Sequence, residues 1–191
     1  MKIIDETKKW LQGYDRPWGI AGGWAIDLFI GRTTRDHSDV EVAVLRTDQH
    51  QLKALLADWS FRKVINGKFH EWNEEELVLP IHELHAVLKE TGDELEVLLN
   101  EVIADHWVFR RDPTITYPAS SLFLKTKEGL PYLHPAVVLL YKAKGTRPKD
   151  TMDFQIAYPL LEKQDRKWLL NTLQIHTPGH EWISQIEGDL E

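Results

Sequence analysis

Two carboxylates one residue apart, Asp39 and Glu41, open the run Asp39-Val40-Glu41-Val42-Ala43-Val44. The β-branched residues of that run predict a strand over Val40 to Leu45. On a strand, residues i and i+2 point to the same face, so Asp39 and Glu41 project together and repel unless a cation lies between them. A hard cation such as Mg²⁺ answers that need, because it takes oxygen ligands and keeps positions open for water and phosphate. Upstream, Gly22-Gly23 precede the apolar stretch Trp24 to Ile30, which Gly31 closes, and the pattern reads as a short helix. Paired glycines let the backbone approach a ligand closely, and the N–H groups of a helix start favour an anion. Alone, a Gly-Gly marks a turn and an Asp-x-Glu marks a solvated strand edge. In this order and at this separation they point to magnesium–nucleotide chemistry.

The elements that must position these residues follow from periodicity. Lys2 to Leu11 has helical spacing. Asp48 is placed to cap a helix running through Leu52, Leu55, Leu56 and Trp59. Phe61 to Ile65, followed by Asn66-Gly67, starts an antiparallel run. Glu83 to Leu88 and Glu94 to Leu99 flank Thr91-Gly92-Asp93 as a second hairpin. From Pro135 onward the pattern is helical, over Val137 to Tyr141, Asp150 to Ala157, Leu160 to Leu173 and His180 to Ile186. The division expected is a mixed core over 1–132 and a helical region over 133–191, with a soft boundary.

Composition narrows the chemistry. The chain has 191 residues, with 23 Lys plus Arg against 30 Asp plus Glu, a formal charge of −7. That balance argues against a nucleic-acid binder, which needs a basic surface, and suits a metal or a small cationic partner. The absence of cysteine excludes disulfides, thiolate metal sites and a thiol nucleophile. No apolar run is long enough to span a membrane, and Met1 to Asp5 does not resemble a signal peptide, so a cytoplasmic protein is expected. Eight tryptophans are the odd feature of the composition.

Gly22-Gly23-Trp24-Ala25-Ile26-Asp27 followed by Arg35-x-His37-x-Asp39-x-Glu41-Val42-Ala43-Val44 resembles the nucleotidyltransferase superfamily. The closer resemblance is to aminoglycoside and lincosamide nucleotidyltransferase-like proteins, and it continues through Trp107-x-Phe109-Arg110-Arg111-Asp112-Pro113, Leu139 to Lys144, Asp150-x-x-Asp153-Phe154 and Pro178-Gly179-His180-x-Trp182. The resemblance implies an α+β fold, a mixed sheet flanked by helices with a C-terminal helical region. It also implies transfer of a nucleoside monophosphate, AMP from ATP, to a hydroxyl of a small cationic acceptor such as an aminoglycoside or lincosamide. Asp39 and Glu41 would hold Mg²⁺, and Gly22 and Gly23 would cradle the triphosphate. A third carboxylate, as metal ligand or general base, is expected on a neighbouring strand. Glu96 is the candidate, because Leu95, Val97 and Leu99 share one strand face and leave it on the other, with Glu94 the runner-up.

Arg35, His37 and Lys142 are the further candidates for phosphate contact. Lys144 reads as a solvated lysine, and Glu74-Glu75-Glu76 as a solvated turn. Asp150 and Asp153 read as a capping pair, and Asp27 as an acid complementing its helix start. His82-Glu83-x-His85 lacks zinc-motif spacing and, on a strand, aims its histidines to opposite faces. Two departures from the family pattern stand out: Glu41 replaces the commoner aspartate, and Ala136 stands where an acid is expected. Trp18 and Trp72 are open to a binding-cleft role. The function classes that compete with a small-molecule transferase are an enzyme that modifies a protein and a non-catalytic, antitoxin-like nucleotide binder. The sequence leaves the acceptor, the nucleotide and the oligomeric state open.

Overall fold

A computed structural model describes residues 2–145 and 147–190. Among them a ten-stranded mixed sheet carries helices built from both ends of the chain. The site depends on its centre. Strand β1 (Trp18–Ile20) leads into α2 (Gly22–Ile30), which follows the N-terminal helix α1 (Lys2–Trp10). Helix α2 ends at Gly31, whose φ of 82° is left-handed and whose N–H donates to the Asp27 carbonyl. The chain returns as β2 (Glu41–Leu45), antiparallel to β1, with Val42, Ala43 and Val44 all fully buried. Burial on both faces is what a continuous apolar run at the middle of a sheet requires.

Helix α3 (Gln49–Leu55) crosses to the hairpin β3 (Trp59–Ile65) and β4 (Lys68–Glu71). Its turn, Asn66-Gly67, has positive φ at both residues, as a two-residue hairpin loop demands. Strands β5 (Glu83–Leu88) and β6 (Glu94–Ile103) form the second hairpin. β6 then pairs parallel with β2, placing Glu41 opposite Glu96, while β5 places His85 opposite Glu96 on the other side. Leu95, Val97 and Leu99 are buried on one face, and Glu94 and Glu96 lie on the more open one. Short strands β7 (His106–Val108), β8 (Thr116–Pro118), β9 (Phe123–Lys125) and β10 (Pro131–Leu133) complete the sheet, and β10 runs parallel to β1.

Four helices follow, α4 (Pro135–Lys142), α5 (Pro148–Ala157), α6 (Lys163–His176) and α7 (Glu181–Leu190). Helix α4 is buried over nearly its whole length and packs against α2, α5 and α6, so the C-terminal helices rest directly on the helix that follows β1. No helix of the described residues is long and apolar enough to cross a membrane.

Several expectations change. The helix expected to reach Trp59 stops at Leu55; Trp59 opens β3 and meets Trp10 edge-to-face at 4.9 Å. Asp48 precedes α3 but makes no side-chain cap bond. Helix α5 starts two residues early because Pro148 occupies its first turn. Helix α6 starts late, after a single tight turn at Tyr158–Leu160. Trp72 is buried against Phe61, its indole N–H donating to the Glu75 carbonyl, which removes it from any binding cleft.

Candidate active site

Glu41 begins β2, and its backbone carbonyl accepts from the Ala21 N–H at 2.8 Å, so the end of β1 and the start of α2 are pinned beside it. Gly22, with φ of 59°, leaves the space into which the Glu41 carboxylate fits: any Cβ on Gly22 would collide with Glu41 Oε2. Asp39 is exposed, and the Trp24 indole donates to its backbone carbonyl at 3.1 Å. Glu96 is Glu41's partner in the parallel register, so their side chains leave the sheet on the same side. Burial pushes the Glu41 carboxyl up to about 7, and the nearby charges of Glu96 and Asp39 push the same way against Lys142. Glu96 is also raised, by burial first and by Asp39 and Glu83, against His85. The fold thus brings Asp39, Glu41 and Glu96 together. Glu94 lies outside this group, exposed and opposite Val87.

Arg35 and His37 close over the start of α2. A side chain on Gly23 would strike both the Arg35 guanidinium and the His37 ring. Each is held from behind. Arg35 makes a two-pronged pair with Asp153, Nε to Oδ1 at 3.1 Å and Nη2 to Oδ2 at 2.9 Å. His37 Nε2 lies 2.7 Å from Asp27 Oδ2, and its ring packs at 4.4 Å from Trp24. Asp27 Oδ1 accepts from the Thr34 N–H at 3.1 Å and from its hydroxyl at 2.5 Å. Asp27 therefore fastens the loop carrying Arg35 and His37, and the helix-start role is corrected, because its carboxylate is spent on that loop. These groups surround a cleft of about 500 Å³ that also reaches Asp39, Glu41 and Glu96.

Lys142 comes from α4 into the same cleft, buried between two aspartates. Its Nζ lies 2.7 Å from Asp153 Oδ2 and 3.1 Å from Asp150 Oδ1, and Arg147 Nε reaches Asp150 Oδ2 at 2.6 Å. The capping role expected for Asp150 and Asp153 is therefore overturned: α5 has no side-chain cap bond at its start, and both acids point at cations. Their i, i+3 spacing was visible, but it carried no sign of partners as distant as Arg35. Lys144 is exposed, as a solvated lysine should be. Ala136 is fully buried in the first turn of α4, so an acid in its place would be a buried charge.

Sequence reasoning missed what β5 contributes. Glu83 and His85 share a strand face and stand beside Glu96, with His85 Nε2 2.8 Å from Glu83 Oε1 and 3.8 Å from Glu96 Oε1. The signal available was the same i, i+2 rule that placed Glu96. His82 diverges from this trio, and its Nδ1 turns to the Pro80 carbonyl at 2.8 Å. Asp39, Glu41 and Glu96 line one cleft and offer oxygen donors that would suit a hard cation, while the ligand atoms of Glu83, His85 and Glu96 lie within 4.8 Å of one another. Burial first, and the charges of Glu96 and Asp39 after it, raise Glu41, and a divalent cation on these hard oxygens would offset both.

Known proteins share this arrangement's framework. The solution structure of the antibiotic-resistance factor ANT(2'')-Ia matches with a TM-score of 0.59 at 16% identity, over 98% of this chain and 95% of that one. The lincomycin-bound crystal structure of the lincosamide antibiotic adenylyltransferase LnuA matches with a TM-score of 0.59 at 14% identity, over 84% and 97%. An antigenic nucleotidyltransferase-like protein from Paracoccidioides brasiliensis matches with a TM-score of 0.51 at 17% identity, over 97% and 90%. At these identities the structures establish a shared nucleotidyltransferase fold. No curated protein matches the chain by sequence. The family model described as aminoglycoside-2''-adenylyltransferase matches residues 4–119, more than half of the chain and the part that holds Gly22, Asp39, Glu41 and Glu96. This nucleotidyltransferase belongs to the aminoglycoside-2''-adenylyltransferase family.

Proposed function

We propose that the protein transfers AMP from ATP, with Mg²⁺ held by Asp39 and Glu41, to a hydroxyl of a small amino-sugar-like acceptor. The observation that carries this reading is the contact between Glu41 and Gly22, which joins the metal ligands to the helix start that would take phosphate. The bound ion would offset charge developing on the transferred phosphoryl group. Backbone N–H groups at Gly22 and Gly23 hold the triphosphate, and Arg35, His37 and Lys142 surround its leaving end. Glu96 takes the proton of the acceptor hydroxyl. The hydroxyl oxygen then bonds to the α-phosphorus, the bridging P–O bond breaks, and pyrophosphate leaves with the electron pair. In this reading residues 1–132 supply the chemistry, while 133–191 supply Lys142 and the acids that anchor it.

Incubation with labelled ATP, Mg²⁺ and a panel of aminoglycosides, lincosamides and simple amino sugars tests this directly by product mass. The expected result is an acceptor heavier by one AMP, and none with Asp39→Ala. Label on a protein instead of the small molecules, or ATP binding without metal dependence or turnover, would overturn it.

Two further outcomes follow from the site. Because Glu41 must lose its proton to bind a cation and that carboxyl is pushed up to about 7, Mg²⁺ affinity should fall as pH drops below 7. Titration calorimetry in two buffers of different ionisation enthalpy should show proton release at pH 6 that fades by pH 8. Gly22→Ala should remove activity, because the new methyl displaces the Glu41 carboxylate, and should also cost about 1–2 kcal/mol for a side chain at left-handed φ. Chemical denaturation beside an activity assay separates those two effects.

A further inference from the structure

The trio that β5 and β6 bring together, Glu83, His85 and Glu96, is a donor set unlike Asp39 and Glu41, because it includes a nitrogen. Glu83 and His85 leave the same face of β5, and the antiparallel register sets His85 directly opposite Glu96. One ligand atom from each residue lies within 4.8 Å of the other two. All three side chains are part-buried and stand on strands rather than on loops. Their hydrogen bonding is incomplete. A neutral imidazole has one N–H; at Nε2 it serves Glu83 Oε1 at 2.8 Å, while Glu96 Oε1, at 3.8 Å, lies beyond hydrogen-bond reach. Among the described residues no other side chain donates to the Glu96 carboxylate. Arg62, the partner of His85 on β3, lies over the Phe69 ring at 4.6 Å instead. Phe69 in turn packs edge-to-face on the His85 ring at 4.6 Å, which holds the imidazole beside the two acids.

We infer that Glu83, His85 and Glu96 form a second cation site, one that takes a borderline divalent ion of the Zn²⁺ type and is separate from the Mg²⁺ position at Asp39 and Glu41. Mg²⁺ takes oxygen ligands and keeps its waters, whereas an imidazole with carboxylates suits zinc. Tetrahedral ligands at zinc distances stand about 3.3–3.6 Å apart, and the separations of 2.8 and 3.8 Å from His85 Nε2 bracket that spacing. Two carboxylates balance the charge of the ion, and the imidazole binds through Nε2 with its proton on Nδ1. Three protein ligands leave a fourth position for water. Glu83 lines the cleft that holds Arg110 and Arg111, and Glu96 lines the one that holds Arg35 and His37, so the ion stands where the two meet beside Glu41. Zinc there also engages the carboxylate to which the proposed transfer gives the acceptor's proton. The site itself does not depend on that transfer.

The test is calorimetric titration of the full, tag-free chain with zinc chloride, after removal of metal by a chelator and in the presence of excess Mg²⁺. One Zn²⁺ should bind per chain, and its affinity should fall about tenfold or more in His85→Ala and in Glu83→Gln but not in Asp39→Ala. Co²⁺ serves as the visible probe of the same position: the absorption it gains on binding the parent should disappear in His85→Ala and persist in Asp39→Ala. The chain has 9 histidines, and zinc held by any of the others does not respond to these variants. Zinc affinity unchanged by His85→Ala and Glu83→Gln, or lost only in Asp39→Ala, overturns the inference, as does zinc that excess Mg²⁺ displaces. Glu83→Gln keeps the shape of the side chain, so it decides the matter where circular dichroism shows that His85→Ala does not fold. The readout is binding and stands apart from turnover. A chain that binds zinc here and never transfers AMP loses the transferase reading alone, and one that transfers AMP without binding zinc loses this site alone.

Discussion

Glu41→Gln should lower kcat/KM by about a hundred- to a thousandfold, the range for losing one preorganised electrostatic contact to the transition state, while raising the melting temperature of the metal-free protein at pH 8. The two effects have one cause. Glu41 is packed against Gly22, beside Glu96 and Asp39, and its carboxyl is pushed up to about 7 by burial and those charges. A group raised in the folded state above its ordinary 4.5 contributes most below that value, and its contribution is lost as pH rises through about 7. At pH 8 the folded parent therefore carries a charge its surroundings disfavour, and glutamine, of the same shape, does not. For a chain of this size each kcal/mol relieved raises the melting temperature by about 2–4 °C. Thermal melts in EDTA at pH 5 and pH 8 check the sign: parent and variant should agree more closely at pH 5 and separate at pH 8. A variant that is no more stable at pH 8 shows that neither burial nor the neighbouring carboxylates disfavour the Glu41 charge in the fold. One that keeps full activity removes Glu41 from metal binding.

The residues at the centre of the candidate site were legible in the sequence for a local reason. Gly22-Gly23 and Asp39-x-Glu41 break local preference, an unshielded acid pair on an apolar strand and a flexible start to an apolar helix, so they stand out without a fold. Alternation alone then set Glu96 on the open face of its strand, and the register with β2 brought it beside Glu41. The hairpin at Asn66-Gly67 was legible for the same local reason. Around it, Arg35, His37 and Lys142 were legible and share its cleft, but the groups that hold them were not. Asp27 looks like an ordinary acid in a first turn until the loop at Thr34 and His37 folds back on it. Strands β7 to β10 have three residues each, too few for any periodicity to register. The largest omission was the ion network on α5, whose members are up to 118 residues apart.

Asp153 is the keystone of that network, and Asp153→Ala should be the most destabilising substitution in the site. Its carboxylate is fully buried and takes Nε and Nη2 of Arg35 on one side and Nζ of Lys142 on the other. Burial by itself would raise this carboxyl, but hydrogen bonds from Arg35 and Lys142, with their charges, outweigh it and hold the group below the usual carboxylate range. Deleting one member of a buried pair leaves its partner charged and dry, which costs about 3–5 kcal/mol. Here Lys142 keeps Asp150, whereas Arg35 loses its only ion-pair partner among the described residues, so the loop over Gly23 should loosen as well. Urea denaturation at pH 7 reads the first effect, and a raised KM for ATP at partly retained kcat reads the second. The pH dependence follows from the depressed carboxyl: its contribution is present above its ordinary 3.8 and lost as pH falls through its lower folded value. Parent and variant should therefore converge in acid and differ most near neutrality. If the difference at pH 7 is below about 1 kcal/mol, the range of exposed ion pairs, then water reaches Asp153 and the network does not anchor Arg35. A loss of about 3–5 kcal/mol with an unchanged KM for ATP would separate the roles instead, leaving Asp153 to hold α4 against α5 while Asp27 and His37 shape the phosphate side of the cleft.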